Sequence, residues 1–215
     1  MGDKLLTWIL SLLALGFVVV VAGVVVLGIL AVTGSVGNTG QCVSDEPDTS
    51  GKPVIRGVSR NSTLRMQWQD KWNKFDKALD GGQSSSTTFT ESETSSRAQA
   101  FLDKKKAPIS EAVICFHDGD AEARGKVNAP IIGDIPAIGG IFETDAKIRG
   151  TIDLSGPHPK IVITDVEAGN LPGFALDQLE TQIQDIVNSR LDDLNLDHTL
   201  EVAFAEGSVT VNGSP

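Results

Sequence analysis

A run of alternating polar and apolar residues from Asp120 to Leu154 constrains the fold of this chain more than any other feature. Apolar residues such as Ala121 and Ala123, and later Ile148 and Ile152, alternate with charged residues. A period of two predicts β-strands with one face toward solvent and the other toward an apolar layer. We expect antiparallel strands at 109–117, 120–129, 141–154 and 160–167, and a C-terminal hairpin over 200–211.

Two amphipathic helices are predicted to cover the apolar face of these strands. The first begins at a capping box, Thr90 to Glu93, and ends near Lys106, because Pro108 prevents its continuation. The second follows the longest amphipathic stripe of the chain, from Leu176 to Leu194. The predicted fold class is α+β, with an N-terminal transmembrane helix and an ectodomain in which a curved antiparallel sheet packs with two helices.

The stretch from Leu5 to Val32 contains no charged residue. At about 1.5 Å per residue it is long enough for a hydrocarbon core of about 30 Å. A cleavable signal peptide has a shorter apolar region, of about 7–15 residues. Lys4 precedes the stretch and no Lys or Arg follows until Lys52, which predicts a cytoplasmic N-terminus. We therefore expect a single-pass signal anchor in the plasma membrane and an extracytoplasmic C-terminal domain.

Composition divides the rest of the chain. Residues 1–33 are predicted to form a cytoplasmic stub and the anchor, 34–60 a linker rich in Gly, Ser, Thr and Asp, and 83–215 the ectodomain. Residues 61–82 are predicted to form a juxtamembrane amphipathic helix, which a Ser/Thr spacer from Gln83 to Thr88 follows. One stripe of this helix carries Leu64, Trp68, Trp72, Phe75 and Leu79.

Two placements of that helix are open. In the first, it lies at the membrane interface, with Trp68 and Trp72 at the level of the lipid headgroups. In the second, the aromatic stripe packs on the downstream domain. The linker permits both placements, and the helix carries only four basic residues against three acidic ones, so the second placement is slightly favoured.

Cys42 and Cys115 are the two cysteines of the chain. In an oxidising compartment they could form a disulfide that closes a long loop. The alternative is a buried thiol at Cys115 in a strand and an unrelated thiol at Cys42 in a loop.

Charge and motifs exclude several classes of protein. A net charge of −10 disfavours nucleic acid as a partner, because such proteins need a basic surface. His117, His158 and His198 have no second ligand at metal spacing, and no nucleophile or phosphate-binding motif occurs. We expect a non-enzymatic protein that has no cofactor or metal.

The stretch from Thr88 to Glu93, the break from Gly169 to Pro172 and the closing stretch from Glu206 to Gly213 resemble bacterial membrane-anchored proteins of the YpmS and LmeA type. The resemblance covers residues 88–213. It implies a domain related to tubular lipid-binding proteins, in which a curved sheet wraps a long helix and the seam admits acyl chains.

Two functions follow from these observations. The first is a tethered domain that binds lipid or another apolar ligand in a groove between the sheet and the helices. The second is a structural or accessory subunit of a cell-envelope membrane complex, with a filled core, no ligand and a membrane-protein partner. The residues expected to line the groove are Phe101, Leu102, Phe142, Ile148, Ile152, Leu179, Ile183 and Ile186.

Overall fold

The computed structural model of the protein describes residues 40–105, 109–129, 142–154, 158–168, 188 and 198–215. Within these ranges the chain is an α+β protein with antiparallel sheets and two helices, which confirms the predicted class. The helices are α1 (Ser62–Asp80) and α2 (Glu91–Lys105). The strands are β1 (Gln41–Pro47), β2 (Pro53–Gly57), β3 (Ser85–Thr90), β4 (Ile109–His117), β5 (Asp120–Ala129), β6 (Phe142–Asp153), β7 (Lys160–Ala168), β8 (Thr199–Ala205) and β9 (Ser208–Ser214).

The described strands form three sheets, and not the single curved sheet that the sequence predicts. β4, β5, β6 and β7 form a four-stranded antiparallel meander in chain order. A second sheet has the order β3-β9-β8, and β1 pairs with β2. The strands predicted from alternation and the predicted C-terminal hairpin are confirmed.

Two predictions from composition are wrong. The predicted linker 34–60 contains β1 and β2, because their backbones pair and bury Cys42. The predicted spacer from Gln83 to Thr88 overlaps β3, which pairs with β9 over its whole length and buries Phe89. In both segments, pairing with another strand supplies the order that polar composition does not indicate.

The two faces of the four-stranded sheet have different surroundings. Ile114, Ala121, Ala123 and Ile148 lie on one face, and all four are buried. The opposite face was expected to contact solvent, and the side chains of Asp165 and Glu167 on it are 46 % and 44 % exposed. The prediction is wrong for Glu122, which is only 3 % exposed and whose charge is paired with neighbouring cations. Ion pairs join Glu122 to Arg124 and to Lys147, and Lys147 also to Asp165 and Glu167.

Side chains of α2 occupy the free backbone edge of β4. Glu91, Ser95 and Gln99 lie four residues apart and accept hydrogen bonds from the amides of Phe116, Ile114 and Ala112, at 2.9, 2.7 and 2.8 Å. Four helical residues rise about 6.0 Å, and two strand residues rise about 6.7 Å. The two repeats therefore match over two steps and three contacts, and the helix takes the place of a neighbouring strand.

The capping box at the start of α2 is confirmed. The Thr90 amide donates to Glu93 Oε2 at 2.9 Å, and the Glu93 amide donates to Thr90 Oγ1 at 3.3 Å. Lys71 of α1 reaches the same carboxylate, with Nζ 2.7 Å from Oε1. The cap therefore also joins the two helices.

The aromatic stripe of α1 packs on the domain. Trp68, Trp72, Phe75 and Leu79 are each at most 3 % exposed. The rings of Trp68 and Trp72 stack at 5.7 Å, and Trp68 stacks on Phe89 of β3 at 4.8 Å. This arrangement confirms the packing alternative and rules out an interfacial position for the two indoles.

Some predictions concern residues outside the described ranges. The proposed anchor, Leu5–Val32, is one of them, and no helix among the described residues is long and apolar enough to cross a membrane. From the stretch Leu176–Leu194 only Asn188 is described. Its carboxamide accepts from the amide of Ile161 at 2.9 Å and donates to the carbonyl of Ile161 at 3.1 Å, at the outer edge of β7.

Candidate functional site

A groove opens between the helices, the three-stranded sheet and the apolar face of the four-stranded sheet. We call it the Arg97 groove. Both helices, β3, β4, β6, β8 and β9 contribute to its walls. Its lining residues are Trp68, Phe89, Thr94, Arg97, Ala98, Ile114, Phe116, Ile152, Phe204, Val209 and Val211.

The floor of the Arg97 groove is apolar and its rim is partly exposed. Phe89, Ile114, Phe116 and Val211 form the floor and are at most 2 % exposed, whereas Ile152 on the rim is half-buried. The groove contains about 500 Å³ free of protein atoms, its open mouth included. Only about 30 Å³ of this space admits a water-sized group. As it stands, the floor therefore has room for the end of an apolar group.

Two polar side chains of α2 line this apolar space. Thr94 and Arg97 are three residues apart and therefore lie on the same side of the helix. Thr94 Oγ1 and Arg97 Nε are both shielded from solvent, and neither has a hydrogen-bond partner among the described residues. Buried polar atoms usually have partners, so this pair is unusual.

The guanidinium of Arg97 is held by an aromatic ring rather than by a carboxylate. Its Cζ lies 5.7 Å from the ring centroid of Trp68, which is a cation–π distance. Burial lowers the pKa of Arg97, and the nearby positive charge of Arg65 lowers it further. No ion pair joins Arg97 to any acidic residue in the described part of the chain.

The predicted groove residues are distributed differently. Ile152 lines the Arg97 groove. Leu102 and Ile148 are buried elsewhere in the core, and Phe101 is half-buried. Phe142 begins β6, and the remaining three, Leu179, Ile183 and Ile186, lie outside the described residues.

The sequence interpretation missed most of the observed lining. Trp68 was recognised only as part of a helical stripe. Arg97 was not singled out, because a charged residue in an amphipathic helix usually faces solvent. One signal was available: Thr94, Arg97 and Ala98 follow the i, i+3, i+4 spacing of one helix face, next to the apolar Phe101.

Cys42 and Cys115 form a disulfide across 73 residues, which resolves the two alternatives in favour of pairing. The bond joins β1 to β4, and both cysteines are fully buried. Glu91 lies close enough to complete a three-residue cluster with metal-ligand spacing. However, oxidised cysteines offer no thiolate, and the Glu91 carboxylate already binds Arg56 and the amide of Phe116.

A second polar cluster surrounds His117 at the same end of β4. The ring is 1 % exposed, and Nδ1 lies 3.5 Å from Asp45 Oδ1 and 3.6 Å from Glu206 Oε1. Neither ring nitrogen has a hydrogen bond among the described residues. Arg149 pairs with Asp45 and with Asp120.

These contacts perturb the ionisation of the cluster. The hydrogen bond between Arg149 and Asp45 lowers the pKa of Asp45 and raises the pKa of Arg149. The charges of His117 and Arg56 lower the pKa of Asp45 further. The hydrogen bond to Glu91 raises the pKa of Arg56, which also pairs with Glu206. Since the carboxylates around His117 are paired with arginines, the cluster fastens β1 and β2 to the domain.

The fold and the groove together define a disulfide-bonded α+β domain with an apolar groove that Arg97 also lines. No protein-family model matches this chain, and no curated protein matches it. The resemblance to the YpmS and LmeA type therefore stays a prediction.

Proposed function

We propose that this chain is a single-pass membrane-anchored protein whose extracytoplasmic domain binds a lipid or another apolar ligand without catalysing a reaction. The observation that carries the proposal is the Arg97 groove, whose apolar floor is continuous with an open mouth. Ligand sites are concave and mostly apolar, with a few polar groups that fix orientation. Thr94 and Arg97 are such groups in this groove.

Two further observations support the location. The disulfide between Cys42 and Cys115 suits an oxidising compartment outside the cytoplasm. The uncharged stretch Leu5–Val32 has the length and composition of a membrane span. The bilayer would then be both the anchor site and the source of an apolar ligand.

The runner-up is a structural or accessory subunit of an envelope complex, with a filled core and a membrane-protein partner. It is favoured by the narrow floor of the groove, where about 30 Å³ is open to a water-sized group. Ligand binding instead needs only the end of an apolar group to enter this space, next to the half-buried lining residues Ile152 and Phe204.

Photolabelling can test the proposal on the full chain in its membrane. A neutral alkanol that carries a diazirine is added, the sample is irradiated, and labelled peptides are mapped by mass spectrometry. We expect label on α1, α2 and β9, next to Trp68, Ala98 and Val209. Ala98→Leu places extra carbons in the groove and is expected to reduce this labelling about tenfold, the effect of about 1.4 kcal/mol in binding.

Ala100→Leu is the matched control, since Ala100 is on the same helix but does not line the groove. It is expected to leave labelling unchanged. The melting temperature of each variant shows whether it remains folded. Uniform labelling of the domain surface, unaffected by Ala98→Leu in a folded protein, would support the structural subunit instead.

A further inference from the structure

We propose that the Arg97 groove selects an anionic amphiphile, whose anion binds Arg97 and Thr94 while its apolar end enters the groove. This inference rests on the proposed function, because it places the anion at the mouth of the same groove. The shared chemistry is a carboxylate or phosphate attached to an alkyl group.

Two hydrogen-bond donors that line the groove have no acceptor among the described residues. Arginine can only donate hydrogen bonds, and a threonine hydroxyl can donate one. Arg97 Nε and Thr94 Oγ1 are both buried and lack hydrogen-bond partners among the described residues. A ligand that satisfies both must bring acceptor oxygens, as a carboxylate or a phosphate does.

The charge of Arg97 has no counter-ion in the described part of the groove. The guanidinium is partly desolvated, and among the described residues the nearby charge that perturbs its pKa is the cation Arg65. The described residues of the groove lining include no acidic residue. A partly buried cation without a counter-ion is costly, so an anion at this position recovers free energy that a neutral headgroup does not.

Arg97 lies next to the apolar floor of the groove. Trp68 stacks under the guanidinium at 5.7 Å and holds it without neutralising it. Trp68, Arg97 and the buried Phe89 all line the groove, so the anion site and the apolar floor are adjacent. One ligand can therefore bind both when its charge lies directly at the end of an apolar chain. This is a binding role only, and no bond is made or broken.

Three diazirine probes of equal alkyl length test the inference on the full chain in its membrane: a carboxylate, a phosphate monoester and a neutral alkanol. We expect the two anionic probes to label the groove about tenfold more strongly than the alkanol, because a hydrogen bond to a charged group contributes that much. The ratio between carboxylate and phosphate identifies the preferred anion.

Arg97→Gln is expected to abolish the preference for anions, so that the two anionic probes label the groove no more strongly than the alkanol does in the same variant. Lys74→Gln removes an exposed cation from α1, away from the groove, and is expected to keep the preference. Thr94→Val is expected to weaken the preference for anions, because it removes one of the two donors. The melting temperature of Arg97→Gln should not fall, since the change removes an uncompensated charge.

The outcomes separate the two proposals. If all three probes label the groove equally in the natural chain, or if Arg97→Gln keeps the anion preference, the anionic ligand is refuted and the apolar groove stands. If no probe labels the groove, as when another segment of the chain fills it, both proposals fail.

Discussion

Gly150 shows how one missing side chain sets the register of two strands. A Cβ at this position would lie 2.5 Å from the carbonyl oxygen of Val162, a backbone atom of the neighbouring strand. At the same point the pairing shifts, since Arg149 faces Asp165 and Gly150 faces Ile163. β7 therefore accommodates one extra residue, Thr164, where β6 has no side chain.

Gly150→Ala is expected to destabilise the protein by about 1–3 kcal/mol, the usual cost of overpacking. The measurement is urea unfolding of the full chain followed by tryptophan fluorescence. Gly57→Ala is the control, because a Cβ at Gly57 meets no atom within 4 Å. Equal midpoints for the two variants would show that the strands can separate at little cost.

Arg97 illustrates at the same scale what sequence patterns cannot provide. Its helix was correctly predicted from a capping box, but the direction of one side chain depends on which sheets surround the helix. The alternation of apolar and polar residues predicts that a strand has two different faces. It does not predict that Glu122, on the polar face, is buried and paired with a neighbouring cation. Gly150 did carry a readable signal, since glycine inside a strand often marks a bulge or a close backbone approach.

The match between α2 and β4 is the main feature at the scale of elements. An exposed edge strand invites pairing with other chains, and proteins usually protect it. At one edge, amides of β4 donate hydrogen bonds to the side chains of Glu91, Ser95 and Gln99. At the other edge of the sheet, the amide of Ile161 donates to the Asn188 carboxamide. Side chains thus replace backbone neighbours at both edges.

Ser95→Ala is expected to cost about 1–3 kcal/mol, because it leaves the buried Ile114 amide without its partner. Ser84→Ala, at an exposed position before β3, makes the same chemical change and should be neutral. Urea unfolding compares the two. Hydrogen exchange provides a second readout, since the Ile114 amide should exchange faster in Ser95→Ala alone.

Strands and helices in which apolar residues recur at a regular spacing were predictable from the sequence. Strands whose order depends on residues far away in the chain were not. β4 to β7 and the hairpin of β8 and β9 follow from alternation. β1 and β3 are mostly polar and β2 has only five residues, and the order of these strands comes from pairing and from a disulfide partner 73 residues away. The placement of α1 on the domain followed from its aromatic stripe only after the downstream sheets were known.

At the scale of the whole molecule, the disulfide joins the N-terminal hairpin to the central sheet. Chain-entropy arguments give about 4 kcal/mol for a closed loop of this length. Reduction is therefore expected to lower the free energy of unfolding by about that amount. The measurement is urea unfolding of the full chain with and without dithiothreitol, with free thiols counted.

A double variant, Cys42→Ala with Cys115→Ala, is the control for this experiment. It should unfold at a lower urea concentration than the oxidised natural chain and should be insensitive to dithiothreitol. An oxidised and a fully reduced chain with the same midpoint would contradict the prediction.

The start of β1 at Gln41 limits how far the domain can be from the bilayer. If the proposed anchor ends at Thr33, the residues 34–40 span at most about 25 Å even when fully extended. The ion pairs of Asp45 and the disulfide of Cys42 prevent β1 from lengthening this reach. With so short a connection, the groove would exchange ligand with the outer leaflet of the membrane that holds its own anchor, and the domain would store ligand locally and not carry it between membranes.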